Sequence, residues 1–248
     1  MADFFEDKVA VVTGASRGLG RAMAVALAAK GCRVALVGRD AAKLDETAKE
    51  CGPGAAIFPC DLTQEEEVLR LESRVSEILG RVQILVNNAG VNLRKRLVDF
   101  SLDEWRYVID SNLTSAFLVS RAFVPHMTGT GYGRILFLTS TMSHVSLPER
   151  AAYSASKSGL LGLVRALALE LSREGITVNG ISPGPFATEM NTALLEDPKK
   201  NADFLSRVPV GVWGDPKDIG ALAVYLCSPE AKFITGTDIA IDGGWLAQ

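Results

Sequence analysis

Seven short runs of apolar, largely β-branched residues punctuate the chain: KVAVVTG, RVALVGR, AAIFPC, VQILVNN, GRILFLTS, ITVNGIS and TDIAIDG. Most are apolar throughout rather than alternating, the pattern of strands buried on both faces. Helical patterns lie between them near 18–30, 41–51, 64–80, 102–127, 154–173 and 216–227. Strands separated in this way by helices predict an α/β, doubly wound, seven-stranded parallel sheet with helices on both faces. Thr63-Gln-Glu-Glu66 and Ser101-Leu-Asp-Glu104 read as capping boxes, and Asp215-Pro216 places an N-cap before a proline at the first helical position. No repeat or linker interrupts the series, so residues 1–248 read as one domain. The least regular segment, 184–212, surrounds a short helix expected near 189–196. It follows a strand end, where a lid over a ligand cleft is expected.

Composition narrows the function classes. A net charge of -3, with 26 basic residues spread thinly, leaves no footprint for nucleic acid or an anionic membrane. No apolar run approaches the ~20 residues that span a bilayer. The acidic start MADFFEDKVAVV runs directly into a strand, unlike a signal peptide, so the cytoplasm is the expected address. Cys32, Cys51, Cys60 and Cys227 form no C-x-x-C pair and no metal-ligand spacing with His126 or His144. They read as reduced thiols, and no metal is predicted. His126 is expected on a helix-end surface and His144 in a solvated loop.

The first strand runs into Thr13-Gly14-Ala-Ser16-Arg17-Gly18-Leu19-Gly20 and then a helix. Glycines at a strand-to-helix turn let the backbone approach a pyrophosphate, which then rests on the free N–H groups of the helix N-terminus. The end of the second strand is where an adenosine ribose is read. An acid there accepts from the 2′-hydroxyl and repels a 2′-phosphate, whereas an arginine pairs with the phosphate. This chain has Gly38-Arg39, with Arg17 in the glycine loop, so NADP(H) is the predicted cofactor.

Further along, Asn87-Asn88-Ala89-Gly90 follows the fourth strand, and Asn112 lies within a long helix. Ser140 ends the fifth strand, 13 residues before Tyr153, and Lys157 stands one helical turn beyond Tyr153. With TGASRGLG and Pro183-Gly184, this ordered set resembles the short-chain dehydrogenase/reductase family, over essentially the whole chain. The resemblance implies a single Rossmann-type domain that interconverts a secondary alcohol and a ketone by hydride transfer. Tyr153 would be the general acid/base and Lys157 the positive charge that favours its phenolate, since a free tyrosine near pKa ~10 is a poor proton partner at neutral pH. Ser140 would hold the substrate oxygen, and Asn112 a water linking Lys157 to solvent. Cofactor contacts would come from Gly14, Ser16, Arg17, Gly18, Leu19, Gly20, Arg39, Asp61, Leu62, Asn88, Ala89 and Gly90. Tyr153, Lys157, Pro183, Gly184, Phe186 and Thr188 would complete them, with Thr188 at the nicotinamide carboxamide.

The partner implied is a small carbonyl or alcohol, and the family habit implies a homotetramer packed through the helices near 102–127 and 154–173. Within the family, 3-oxoacyl-acyl-carrier-protein reductases present basic residues before the fifth and sixth strands. This chain has Thr128-Gly-Thr-Gly-Tyr132 and Glu174 there. Asn92-Leu-Arg94-Lys95-Arg96, Glu104-Trp105 and Pro185-Phe186-Ala-Thr188-Glu-Met190 instead resemble the sugar-acid branch that works on gluconate and 5-keto-gluconate. A basic cluster at Arg94, Lys95 and Arg96 offers a seat for a substrate carboxylate, and Glu149 and Arg150 are candidate rim residues. A non-catalytic NADP(H) sensor would have no use for Ser140, Tyr153 and Lys157 together.

Overall fold

The computed structural model describes residues 2–248, except for the side chains of Ala2, Asp3, Met190, Ala193 and Leu194. Met190, quoted above with the sugar-acid stretch, therefore has its side chain outside the described residues. Seven strands, β1 (Val9–Thr13), β2 (Arg33–Gly38), β3 (Ala55–Pro59), β4 (Val82–Asn87), β5 (Gly133–Leu138), β6 (Ile176–Pro183) and β7 (Asp238–Ile241), pair in the order β3-β2-β1-β4-β5-β6-β7. Every pairing is parallel. The helices are α1 (Ala2–Phe5), α2 (Gly18–Ala28), α3 (Ala41–Cys51), α4 (Glu65–Leu79), α5 (Leu102–Ile109), α6 (Ser115–Met127), α7 (Ala151–Leu171), α8 (Thr192–Leu195), α9 (Pro198–Leu205) and α10 (Pro216–Cys227).

The alternation of strand side chains divides the core in two. Val9 and Val11 of β1 join Phe58, Leu85, Phe123 and Phe137 beneath α4, α6 and α7. Ala10 and Val12 join Met23, Leu27, Leu36 and Leu226 beneath α2 and α10. That second layer is tight: a Cβ on Gly220 of α10 would lie 2.9 Å from the Ala22 carbonyl oxygen of α2. Because the chain lays β2 and β3 on one side of β1 and β4 on the other, the connections diverge between β1 and β4. A crevice opens there at the carboxyl ends of the strands, the usual ligand site of such sheets. Among the described residues no helix is long and apolar enough to cross a membrane.

Three local expectations are corrected. Thr63 does not cap α4; Asp61 captures its N–H and hydroxyl at 3.1 and 2.8 Å, and the N-cap passes to Gln64 without a side-chain bond. The long helix expected over 102–127 is interrupted by a π-turn at Asp110–Thr114, which contains Asn112. The helix expected from 154 begins at Ala151, which brings Tyr153 into its first turn. The boxes at Ser101–Glu104 and Asp215–Pro216 form as read.

Candidate active site

A cleft of about 430 Å³ runs along the carboxyl ends of β1, β2, β4, β5 and β6. At its floor the glycine loop bends from β1 into α2, with Gly14 and Gly18 at φ +64 and +54. Side chains are excluded there on space as well as on φ. A Cβ on Gly14 would lie 2.9 Å from Ala89 Cα, and one on Gly20 would lie 2.3 Å from the Gly14 carbonyl oxygen. Asn88 closes the loop from the β4 side, its Nδ2 donating to the Thr13 and Gly14 carbonyls at 2.8 and 3.1 Å. Thr13 Oγ1 accepts the backbone N–H of Asn88 and of Ala89.

These residues fit a dinucleotide. Among the described residues no side chain caps α2, and its first turn carries no acid, which leaves the N–H groups of its N-terminus without a side-chain acceptor. That is the donor set a pyrophosphate takes. Ser16, Arg17, Gly18 and Leu19 line this part of the cleft. Gly38 and Arg39 from the end of β2, and Cys60, Asp61, Leu62 and Thr63 after β3, line the next. Arg39 is exposed and forms no ion pair among the described residues, whereas Arg17 faces Glu189 at 3.6 Å.

At the far end stand Ala89, Gly90, Leu138, Ser140, Tyr153, Lys157, Pro183, Gly184, Phe186 and Thr188. Ser140, two residues past β5, caps a short 3-10 turn by accepting the Met142 N–H at 3.1 Å. Tyr153 and Lys157 share a face of α7 at one-turn spacing. Lys157 Nζ donates to the Leu138 carbonyl at 2.5 Å and lies 5.9 Å from the centre of the Tyr153 ring. Burial pushes the Tyr153 phenol upward, opposed first by the Ser140 side chain and then by the charge of Arg150. The Lys157 ammonium is turned to the Leu138 carbonyl. Burial lowers Lys157 itself to about 8.

Asn112 is buried behind the cleft wall and does not line it. Its Oδ1 accepts the Val91 N–H at 2.7 Å, and its Nδ2 donates to the Val91 carbonyl and to Ser156 Oγ, both at 2.9 Å. It thereby ties the end of the β4 loop to α7.

The family model described as enoyl-(acyl carrier protein) reductase matches residues 14–246. The 2-dehydro-3-deoxy-D-gluconate 5-dehydrogenase of Escherichia coli K12 is 37% identical over 247 residues, 98% of this chain and 97% of that one. The 3-oxoacyl-[acyl-carrier-protein] reductase of Vibrio harveyi is 37% identical over 242 residues, 96% of this chain and 97% of its own. A Beutenbergia cavernae structure, assigned provisionally as an NAD(P)-dependent gluconate 5-dehydrogenase and holding NADP at low occupancy, superposes with a TM-score of 0.92. It is 38% identical and covers 98% of each chain. The chain is a short-chain dehydrogenase/reductase.

As a short-chain dehydrogenase/reductase it is an oxidoreductase for CH–OH and C=O groups that works with a nicotinamide cofactor. Its cleft also holds residues the sequence reading missed. Tyr107, Ser111 and Ser115 line one wall from the α5–π–α6 segment, and Glu189 and Asn191 the opposite side. The i, i+4, i+8 spacing of the first three was the available signal. The basic loop is also not what its composition suggested. Lys95 is bound by Glu104 at 2.9 Å and Arg96 by Asp99 at 2.9 Å, which leaves Arg94.

Both histidines of this dehydrogenase/reductase have an acidic partner. His126 is no surface residue: its Nδ1 accepts the Val82 N–H at 3.2 Å, and its Nε2 meets Glu72 at 2.5 Å. His144 is exposed in a turn, as expected, but its Nε2 also lies 2.6 Å from the carboxylate of Asp238. The four cysteines are free, and burial raises Cys32 to about 12 and both Cys51 and Cys60 to about 11. Among the described residues no group of three His, Cys, Asp or Glu side chains is placed to hold a metal.

Proposed function

We propose that this protein uses NADP(H) to interconvert a secondary alcohol and a ketone on a sugar acid or polyol of the gluconate/5-keto-gluconate kind. The observation that supports the substrate class is Arg150, close to Tyr153, with Arg94 close to Arg150 in turn. The Lys95 N–H donates to the Glu149 carbonyl at 3.2 Å, which stitches the loop bearing Arg94 to the start of α7, where Arg150 sits. Glu149 holds φ 64 at this junction, a conformation unfavourable for a residue with a Cβ. Arg150 is half-buried and lowered by burial and then by the charge of Arg94, and neither arginine forms an ion pair among the described residues. Two guanidinium groups close enough to repel, with the Glu149 carboxylate near Arg150 but in no ion pair with it among the described residues, suit a substrate carboxylate, which an arginine grips bidentately.

The residues then have these parts. A bound NADP(H) supplies or takes up the hydride. In reduction Tyr153 starts as the neutral phenol, held protonated by its burial, and gives that proton to the carbonyl oxygen. The Ser140 hydroxyl donates to the same oxygen and so sets the carbonyl's orientation. Lys157, anchored on the Leu138 carbonyl, stands where the nicotinamide ribose would be held. The open N-terminus of α2 would take the pyrophosphate, and Arg39 the 2′-phosphate.

Initial rates of NADPH oxidation test the substrate class, with 5-keto-gluconate in one arm and an acetoacetyl thioester in the other. Turnover of the keto acid is expected. Arg150→Ala should raise its KM about tenfold or more while kcat changes less, as for a group that binds substrate and transition state alike. The second reading, a 3-oxoacyl-thioester reductase, is favoured by the Vibrio harveyi relative and opposed by Glu174, whose carboxylate accepts the Gly129 N–H at 2.9 Å where the carrier-protein enzymes are basic. Turnover of the thioester alone would replace the first reading with the second. For the cofactor, Arg39→Glu should weaken NADPH binding about tenfold or more and leave NADH nearly unchanged in fluorescence titrations. Equal weakening of both would remove the 2′-phosphate role.

A further inference from the structure

Beside Ser140, β5, β6 and β7 meet in a small polar cluster that the mechanism above leaves unused, one member of which, Thr139, lines the cleft. Asp238, the first residue of β7, has a side chain only 8% exposed. Its Oδ1 lies 2.6 Å from Thr139 Oγ1, and its Oδ2 lies 2.6 Å from both Ser182 Oγ and His144 Nε2. Ser182 Oγ also reaches the Ser140 carbonyl at 3.0 Å. The backbone makes room for this carboxylate. Gly180 is the register partner of Asp238 in the β6–β7 ladder, and a Cβ there would lie 2.0 Å from Asp238 Oδ1.

Each hydroxyl carries one donor, whereas each carboxylate oxygen can accept twice. Thr139 Oγ1 and Ser182 Oγ lie 2.9 Å apart and face shared acceptors: both oxygens of Asp238, the Ser140 carbonyl and the Ile181 carbonyl, 2.8 Å from Thr139 Oγ1. Oδ2 of Asp238 can therefore accept from Ser182 and from the Nε2–H of His144 together, which joins the segment after Ser140 to β6 and β7 through one carboxylate. His144 immediately follows the 3-10 turn that Ser140 caps, and Ser143 in that turn is itself bound to α7 through Ser158.

We propose that His144 and Asp238 are positioning residues for Ser140. The His144 N–H on the Asp238 carboxylate ties the turn that Ser140 caps to β7, and with Thr139 and Ser182 on the same carboxylate it fixes the backbone from which the Ser140 hydroxyl reaches the substrate oxygen. The inference rests on the reading of Ser140 given above. A misplacement of about 1 Å in such a group costs on the order of a hundredfold in rate, and loss of one restraint among several a smaller part of that.

The test compares His144→Ala, His144→Gln and Ser140→Ala with the wild type. The probe is 5-keto-gluconate, or acetoacetyl thioester if that is the ketone reduced. His144→Ala is expected to lower kcat about tenfold, with the melting temperature and the NADPH affinity measured by fluorescence little changed. Gln carries an N–H donor at nearly the reach of Nε2, so His144→Gln should recover most of the rate. A kcat for His144→Ala within twofold of wild type would overturn the proposal. So would a loss that Gln does not rescue and that travels with lower melting temperature and weaker NADPH binding, since that pattern belongs to packing. Ser140→Ala separates the layers: if it still turns over, the reading of Ser140 falls and takes this proposal with it. If it is inactive while His144→Ala is silent, the positioning role alone falls.

Discussion

Tyr153→Phe is expected to bind NADPH as the wild type does and to lose turnover by about a thousandfold. General acid catalysis by a placed side chain contributes roughly 10²–10⁴ in rate, and phenylalanine keeps the ring while removing the only proton Tyr153 can give. The ring packs at the start of α7, and the rest of the cofactor cleft is built by other elements, so a folded protein should survive the change. The sign of the pH effect follows from burial. A phenol held above its ordinary value stays protonated through neutral pH, so the reduction rate should be flat there and fall only under alkaline conditions. A Tyr153→Phe enzyme that kept a tenth of wild-type kcat would show that the proton comes from elsewhere. Stopped-flow rates of NADPH oxidation, with fluorescence titration of NADPH as the binding control, read both quantities.

Much of this architecture was legible because it is local or periodic. Val9–Thr13 and Gly133–Leu138 are buried at every position, so a run without polar alternation announced them directly. The glycine loop was legible because only glycine tolerates both the φ of Gly14 and the 2.3 Å approach at Gly20. What could not be read was set by partners distant in sequence. The π-turn at 110–114 places Asn112, which meets Val91 and Ser156, 21 and 44 positions away. His144 meets Asp238 across 94 positions, and no spacing rule spans that distance. Thr63 failed as a cap for a subtler reason: Asp61, two residues earlier, accepts both its N–H and its hydroxyl and so draws it out of the capping position. Lys95 and Arg96 read as a binding cluster because a sequence displays charge without displaying its neutralisation by Glu104 and Asp99. What remains after that pairing, Arg94 with Arg150, is a narrower and more specific feature than the run of three.

Lys157→Met is expected to move activity and stability in opposite directions. Turnover should fall by a hundredfold or more, because Lys157 is the buried cation at the reacting end of the cleft and methionine offers neither charge nor donor. Stability at neutral pH should rise. Burial lowers the lysine from 10.5 to about 8, so keeping it ionised in the folded state costs about 3 kcal/mol by linkage. Methionine fills a similar volume without that cost but leaves the Leu138 carbonyl without its donor, a loss of about 1–2 kcal/mol. The net gain of about 1–2 kcal/mol corresponds to roughly 2–8 °C in melting temperature for a chain of this size. The pH dependence gives the gain a signature. Below pH 8 the lysine is charged in both folded and unfolded chains, and the wild type bears the full cost. Between pH 8 and 10.5 the folded chain gives up the proton while the unfolded chain keeps it, so the wild type recovers and the advantage of methionine fades. Melting curves of both proteins at pH 7 and pH 9.5 measure the difference directly, since other titrating groups are common to the two. A variant less stable than the wild type at pH 7, or a gap that widens toward pH 9.5, would mean that Lys157 is held by favourable interactions rather than strained by burial.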